Sequence, residues 1–165
     1  MSVDKVSLPA DSNEKLVSLA ENYVRTSGRL IDVLAVTGHA AGNHQAGITY
    51  KAELPAQNGR VWNTAFANEQ LTDTQASRLG ATFASDAQLV LATCVAARKS
   101  TSAQGLADRL QVTVHASDEN VSAGPDSGWL GPAGSFLNGV LYGSGVSTDP
   151  WKVFTPSPKT LAPIK

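Results

Sequence analysis

Cys94 is the only cysteine in the chain, and three histidines, His39, His44 and His115, are the side chains that could activate it. A thiol becomes a strong nucleophile as the thiolate, and near neutral pH it needs a base or a positive neighbour to reach that form. Such a thiolate attacks a carbonyl carbon, and a histidine then protonates the leaving amine, so the pair suits hydrolysis of peptide or amide bonds. One cysteine excludes an internal disulfide and any multi-cysteine zinc site. His39, His44 and Cys94 have the donor types for zinc. They lack a fourth ligand and the recognised spacings, so no metal and no cofactor are expected. A lone cysteine is ordinarily an inert small hydrophobe, so the case for chemistry rests on what positions it.

The positioning elements are legible as apolar runs. Leu30 to Thr37 is a β-branched, apolar stretch of the kind found in strands buried on both faces. It leads into Gly38-His39. Ala87 to Thr93 is a second such run, and it ends at Cys94. Leu110 to Val114 reads as a third, ending at His115. Between these runs lie capped helices. Asp11 to Glu14 forms a capping-box pattern ahead of Leu16, Ala20, Tyr23 and Val24, and Gly28 closes a helix expected over residues 12–26. Thr72 to Gln75 is a second capping box, with Ala76, Leu79 and Phe83 on one helical face. Thr101 to Gln104 opens a third helix carrying Leu106 and Leu110. Asn58-Gly59, between Leu54 and Val61-Trp62, suggests a hairpin.

Strands alternating with helices predict an α/β domain with a mostly parallel central sheet and helices on both faces, a three-layer sandwich. Residues 1–10 read as a loose arm. The glycine- and proline-rich stretch 124–165, with Trp129 and Trp151, reads as short strands and loops wrapping the same domain. In such a sheet ligands bind beyond the carboxyl ends of the strands, where His39, Cys94 and His115 are expected. Gly38 and the small residues Ala40-Ala41-Gly42 leave room for a substrate carbonyl there. Backbone N–H groups near Gly38, Ala40 and Cys94 could hold a developing oxyanion.

Bulk composition narrows the partners. Hydrophobic residues make up 42% and charged residues 16%, enough for a packed core in a single domain. A net charge of -1 and scattered basic residues argue against nucleic acid. No apolar run approaches the roughly 18 residues of a membrane span. The start of the chain lacks the pattern of a cleaved secretory signal. Expected partners are therefore a protein or peptide substrate, with no nucleic acid and no membrane. The expected location is a cytoplasm, or export without a cleaved signal.

With these residues in view, the chain resembles the caspase-like cysteine peptidases, and most closely the self-cleaving cysteine protease domains of large bacterial RTX toxins. Val36-Thr37-Gly38-His39-Ala40 is similar to their strand-Gly-His-Gly, and Leu89 to Cys94 to their apolar strand ending in cysteine. Gly105 to Val114 matches their next helix and strand, and Asp126 to Trp129 a downstream Gly-Asp-Trp element. His39 precedes Cys94 by about 55 residues, near the spacing of the caspase signature. The resemblance covers residues 29–130 and implies a Cys94 nucleophile, a His39 acid/base, and a role in a bacterial effector or autoprocessing toxin. It also implies that an acidic residue after the third strand, Asp118 or Glu119, selects a basic P1 side chain, with His115 nearby. Ala40 stands where the family has glycine and adds a methyl beside the oxyanion site, and Thr93 precedes the cysteine where a smaller residue is usual. The toxin domains take a polyphosphate activator on many basic residues, which this chain does not gather.

Two other readings use the same residues differently. Cys94 followed by His115 resembles the order in bacterial toxin glutamine deamidases, in which a thiolate attacks a side-chain amide. A non-catalytic module on the same fold would use the aromatic tail, Trp129 and Trp151, as a contact surface.

Overall fold

The computed structural model describes residues 10, 12–37, 48–53, 60–92, 97, 100–117 and 151–158. Helix α1 spans Asn13–Ser27. Its N-cap is Ser12, whose hydroxyl accepts from the Lys15 N–H at 3.1 Å, one residue later than the expected Asp11 cap. The shift frees Glu14 from a capping role. Gly28 ends the helix at φ 70° and donates its N–H to Val24 O, the left-handed closure that glycine adopts without steric cost.

Strand β1 (Ile31–Thr37) comes next, then an antiparallel pair, β2 (Ile48–Glu53) and β3 (Arg60–Phe66). The hairpin is thus present, while the Asn58-Gly59 turn lies outside the described residues. A 3-10 turn, Asn68–Gln70, leads into helix α2 (Asp73–Gly80), where the Thr72–Gln75 capping box is complete. Strand β4 (Phe83–Ala92), helix α3 (Ser100–Leu110) and strand β5 (Thr113–Ser117) continue the alternation, and β6 (Trp151–Phe154) is the last element.

The main sheet has the order β1-β4-β5-β6. The first three strands are parallel, and β6 adds antiparallel to β5. The α/β class with a mostly parallel sheet is therefore present. Its rows explain the core. Leu34, Leu89 and Val114 share one row, and Val36, Leu91 and Ala116 the next but one on the same face. These six form one apolar cluster with Leu16, Val17 and Ala20 of α1, Ala76 and Leu79 of α2, and Ala103, Leu106 and Leu110 of α3. All three helices therefore pack on a single face. Crossovers of the usual right-handed kind that step the same way along a sheet give this result. Helices on both faces are not found among the described residues.

Polar links tie the helix layer together. Arg78 of α2 reaches Glu21 at 2.6 Å and Glu14 at 2.7 Å on α1 and holds both carboxyls below their ordinary range. Arg109 of α3 donates to the carbonyls of Asn68 and Leu71 and to Asp73 Oδ1, clamping the entry to α2. Ser102, fully buried, donates to Glu69 at 2.8 Å and accepts from the Asn68 N–H.

The third strand departs from expectation. Leu110 belongs to α3, and Gln111 takes φ 54° to close the helix, with the Val112 N–H returning to Ala107 O. This is the geometry of a Schellman closure with glutamine where glycine is usual. β5 accordingly begins at Thr113, and His115 is its middle residue, not its tip.

Candidate active site at the carboxyl end of the sheet

β1 and β4 are hydrogen-bonded parallel neighbours, and their last rung joins Thr37 to Ala92. Both strands, as described, end at that rung and run in the same direction. His39 is the second residue after Thr37, and Cys94 the second after Ala92. His39, Cys94, Gly38, Ala40 and Asp118, together with His44 and Glu119, lie outside the described residues. What the fold supplies is the base from which the first four depart. The anchoring is firm: Leu89, Val90 and Leu91 have no exposed surface. A strand packed on both faces is a rigid support for a residue at its end.

His115 is the one candidate within the described residues. It shares a row with Ala35, Val90 and Val153 on the face opposite the helices. That row is two residues before Ala92 on β4, about 7 Å back along the strand. His115 is 8% exposed, and its Nε2 lies 2.6 Å from Gln88 Oε1. Burial pushes its pKa below the ordinary histidine value and favours the neutral ring. The expected strand-tip position of His115 is therefore not found: it sits inside the sheet, held by a neighbouring strand. Gln88 is a neighbour of His115 that the sequence reading did not single out. Its signal was a lone amide inside an apolar run, between Ala87 and Leu89.

This histidine makes stability depend on pH. The unfolded ring titrates near 6.5, and the folded ring lower. Between the two values the unfolded state binds more protons, so stability is full above about 6.5 and is lost as the pH drops through the folded value, below which both states are protonated. Thermal unfolding followed from pH 7.5 to 5 is expected to show a larger fall in Tm for wild type than for His115→Gln. Parallel curves would remove His115 from this role.

The second face is otherwise mixed. Val90 and Ser117 are fully buried, while Val33 and Ala35 are half-buried. Among the described residues no group of histidine, cysteine, aspartate and glutamate stands in metal-binding geometry. No helix among them is long and apolar enough to cross a membrane. No family model, no curated protein and no solved structure matches this chain. The reading of the site therefore rests on its own residues.

Proposed function

We propose that the chain is a cysteine peptidase of the caspase-like kind, with Cys94 as nucleophile and His39 as acid/base. The observation that carries this reading is the Thr37–Ala92 rung. It makes the strands that lead to the histidine and the cysteine immediate, parallel neighbours ending at one level. On this reading, equal spacing of two residues beyond that rung would bring both groups within reach of one substrate carbonyl.

In the reaction, the Cys94 thiolate bonds to the peptide carbonyl carbon and the C–N bond then breaks. The amine leaves with a proton from His39, and a water molecule hydrolyses the thioester with His39 accepting its proton. Backbone N–H groups of the small segment around Gly38 and Ala40 would receive the oxyanion charge. Asp118, the residue directly after β5, would favour a basic P1 side chain. The same reading calls for a third layer over the second face of the sheet, and burial of Val90, His115 and Ser117 there supports it. It casts the domain as an effector or self-processing module. The Cys94–His115 pairing has less support, because His115 lies mid-strand with Nε2 against Gln88.

The test is labelling with irreversible peptide acyloxymethyl ketones, read by intact mass. Wild type is expected to take one adduct, fastest with a basic P1, and Cys94→Ala none. Absence of any adduct on wild type with basic, acidic and apolar P1 groups would overturn the proposal.

A further inference from the structure

The outermost strand is attached differently from the others. β6 has four residues and pairs only with β5 among the described strands. Val153 is 59% exposed and Lys152 is exposed, so Phe154 is the one side chain of 152–154 packed against the core. The rungs of β6 join Val114 through Ser117 to partners far along the chain, with residues 118–150 between. The segment after β6 is fastened to α3 by polar bonds. Gln104 donates to Thr155 O at 2.7 Å and to Asp108 Oδ1 at 2.9 Å, and the Ser157 N–H donates to the same Asp108 oxygen at 2.7 Å. Pro156 and Pro158 have no N–H to offer, so Ser157 supplies the backbone donor of that stretch.

We propose that residues 151–158 form a clasp, latched on Asp108 and Gln104, that opens as one unit from β5 and α3 while the rest of the sheet stays closed. Of the side chains at 152–154 only Phe154 packs against the core to resist its opening, and the latch is a charge-assisted bond at a surface. When the clasp is shut, β5 is held on both sides. When it opens, β5 becomes an edge strand, and its backbone groups from Val114 to Ser117 that faced β6 are released. Those residues include His115 and end next to Asp118, so the clasp governs how firmly that end of the sheet is held. The inference is independent of the peptidase reading, since it concerns strand attachment alone.

Amide hydrogen exchange of the full chain, read by mass spectrometry, tests it on wild type, Asp108→Ala and Ser157→Pro. Ser157→Pro removes the donating N–H without touching α3, so it still reports if Asp108→Ala disturbs the helix. Wild-type peptides covering 151–158 are expected to exchange at least about tenfold faster than those of β4. Either variant should speed β6 by about tenfold or more, and Asp108→Ala should speed the Thr155 and Ser157 amides with it, while β1 and β4 stay unchanged. Equal rates for β6 and β4 in wild type would overturn the proposal. So would acceleration confined to 155–158 in Asp108→Ala, or an unchanged β6 in both variants.

Discussion

Replacing His39 by alanine is expected to slow peptide cleavage, or probe labelling of Cys94, by about 100- to 10,000-fold, the range for loss of a positioned acid/base. His39 departs from β1 two residues after the Thr37–Ala92 rung, and Cys94 departs from β4 at the same interval. The apolar core of the described residues does not draw on His39, so Tm should stay within about 1–2 °C of wild type, the shift of a change of up to about 0.5 kcal/mol. His115→Gln gives the contrast. It replaces a buried, neutral ring that contacts Gln88, so it should alter stability and its pH dependence while leaving the rate of Cys94 chemistry nearly intact. The measurement is kcat/KM on a fluorogenic peptide, or the labelling rate where no good substrate exists. Equal rates for wild type and His39→Ala, with loss in His115→Gln, would move the activating role to His115 and favour an amidohydrolase.

The second large effect is on stability. Leu89 has no exposed surface and lies between Leu34 and Val114 beneath the helix layer. Leu89→Ala deletes three carbon atoms from the middle of the core, and rigid neighbours on both sides limit collapse into the gap. The expected cost is about 3–5 kcal/mol, a large share of the roughly 5–15 kcal/mol that holds a domain together. A chain of this size should lose on the order of 10 °C in Tm. Leu89→Met conserves volume and should cost less than about 1.5 kcal/mol. Val153→Ala, at an exposed strand position, should change stability by no more than about 0.5 kcal/mol. Denaturant unfolding of the three variants checks the order. A Leu89→Ala cost below about 1 kcal/mol would mean that this row is not the centre of the core.

Local chemistry was the most legible part of the sequence. The Thr72–Gln75 capping box and the Gly28 closure are properties of a few adjacent residues, and both occur where the sequence puts them. The apolar runs around Val33–Val36 and Leu89–Leu91 gave neighbouring parallel strands because helix-separated runs have few other ways to bury two faces. The misses share a different cause. Ser12 and Asp11 are both good caps, and the choice between them depends on Glu14 being taken by Arg78 of another helix. β4 begins at Phe83, earlier than its apolar run, because Ser85 and Asp86 occupy an irregular, exposed stretch of the ladder between the rungs Ile31–Phe83 and Val33–Gln88. Gln111 closes α3 in a conformation for which its side chain gives no signal, and this displaced β5 and carried His115 from a strand tip into the sheet. The bond from His115 to Gln88 spans two strands, and no local pattern encodes it. At the site itself, residue type and spacing pointed to His39 and Cys94; both lie outside the described residues, and the described strands end two residues before each.

The central strand also bears on how the chain reaches this state. Both partners of β4 are held through crossovers, with Val33 meeting Gln88 on one side and Gln88 meeting Thr113 on the other. Neither contact can form as a hairpin does, by zipping from a tight turn. The chain must first bring distant segments together and bear the entropy of closing those loops before the rungs reward it. A sheet of this kind nucleates slowly, in milliseconds to seconds instead of microseconds, and for that interval the Leu89–Leu91 segment is exposed and able to pair with other chains. The helices α2 and α3, each short and amphipathic, are the elements able to cover it as the crossovers close.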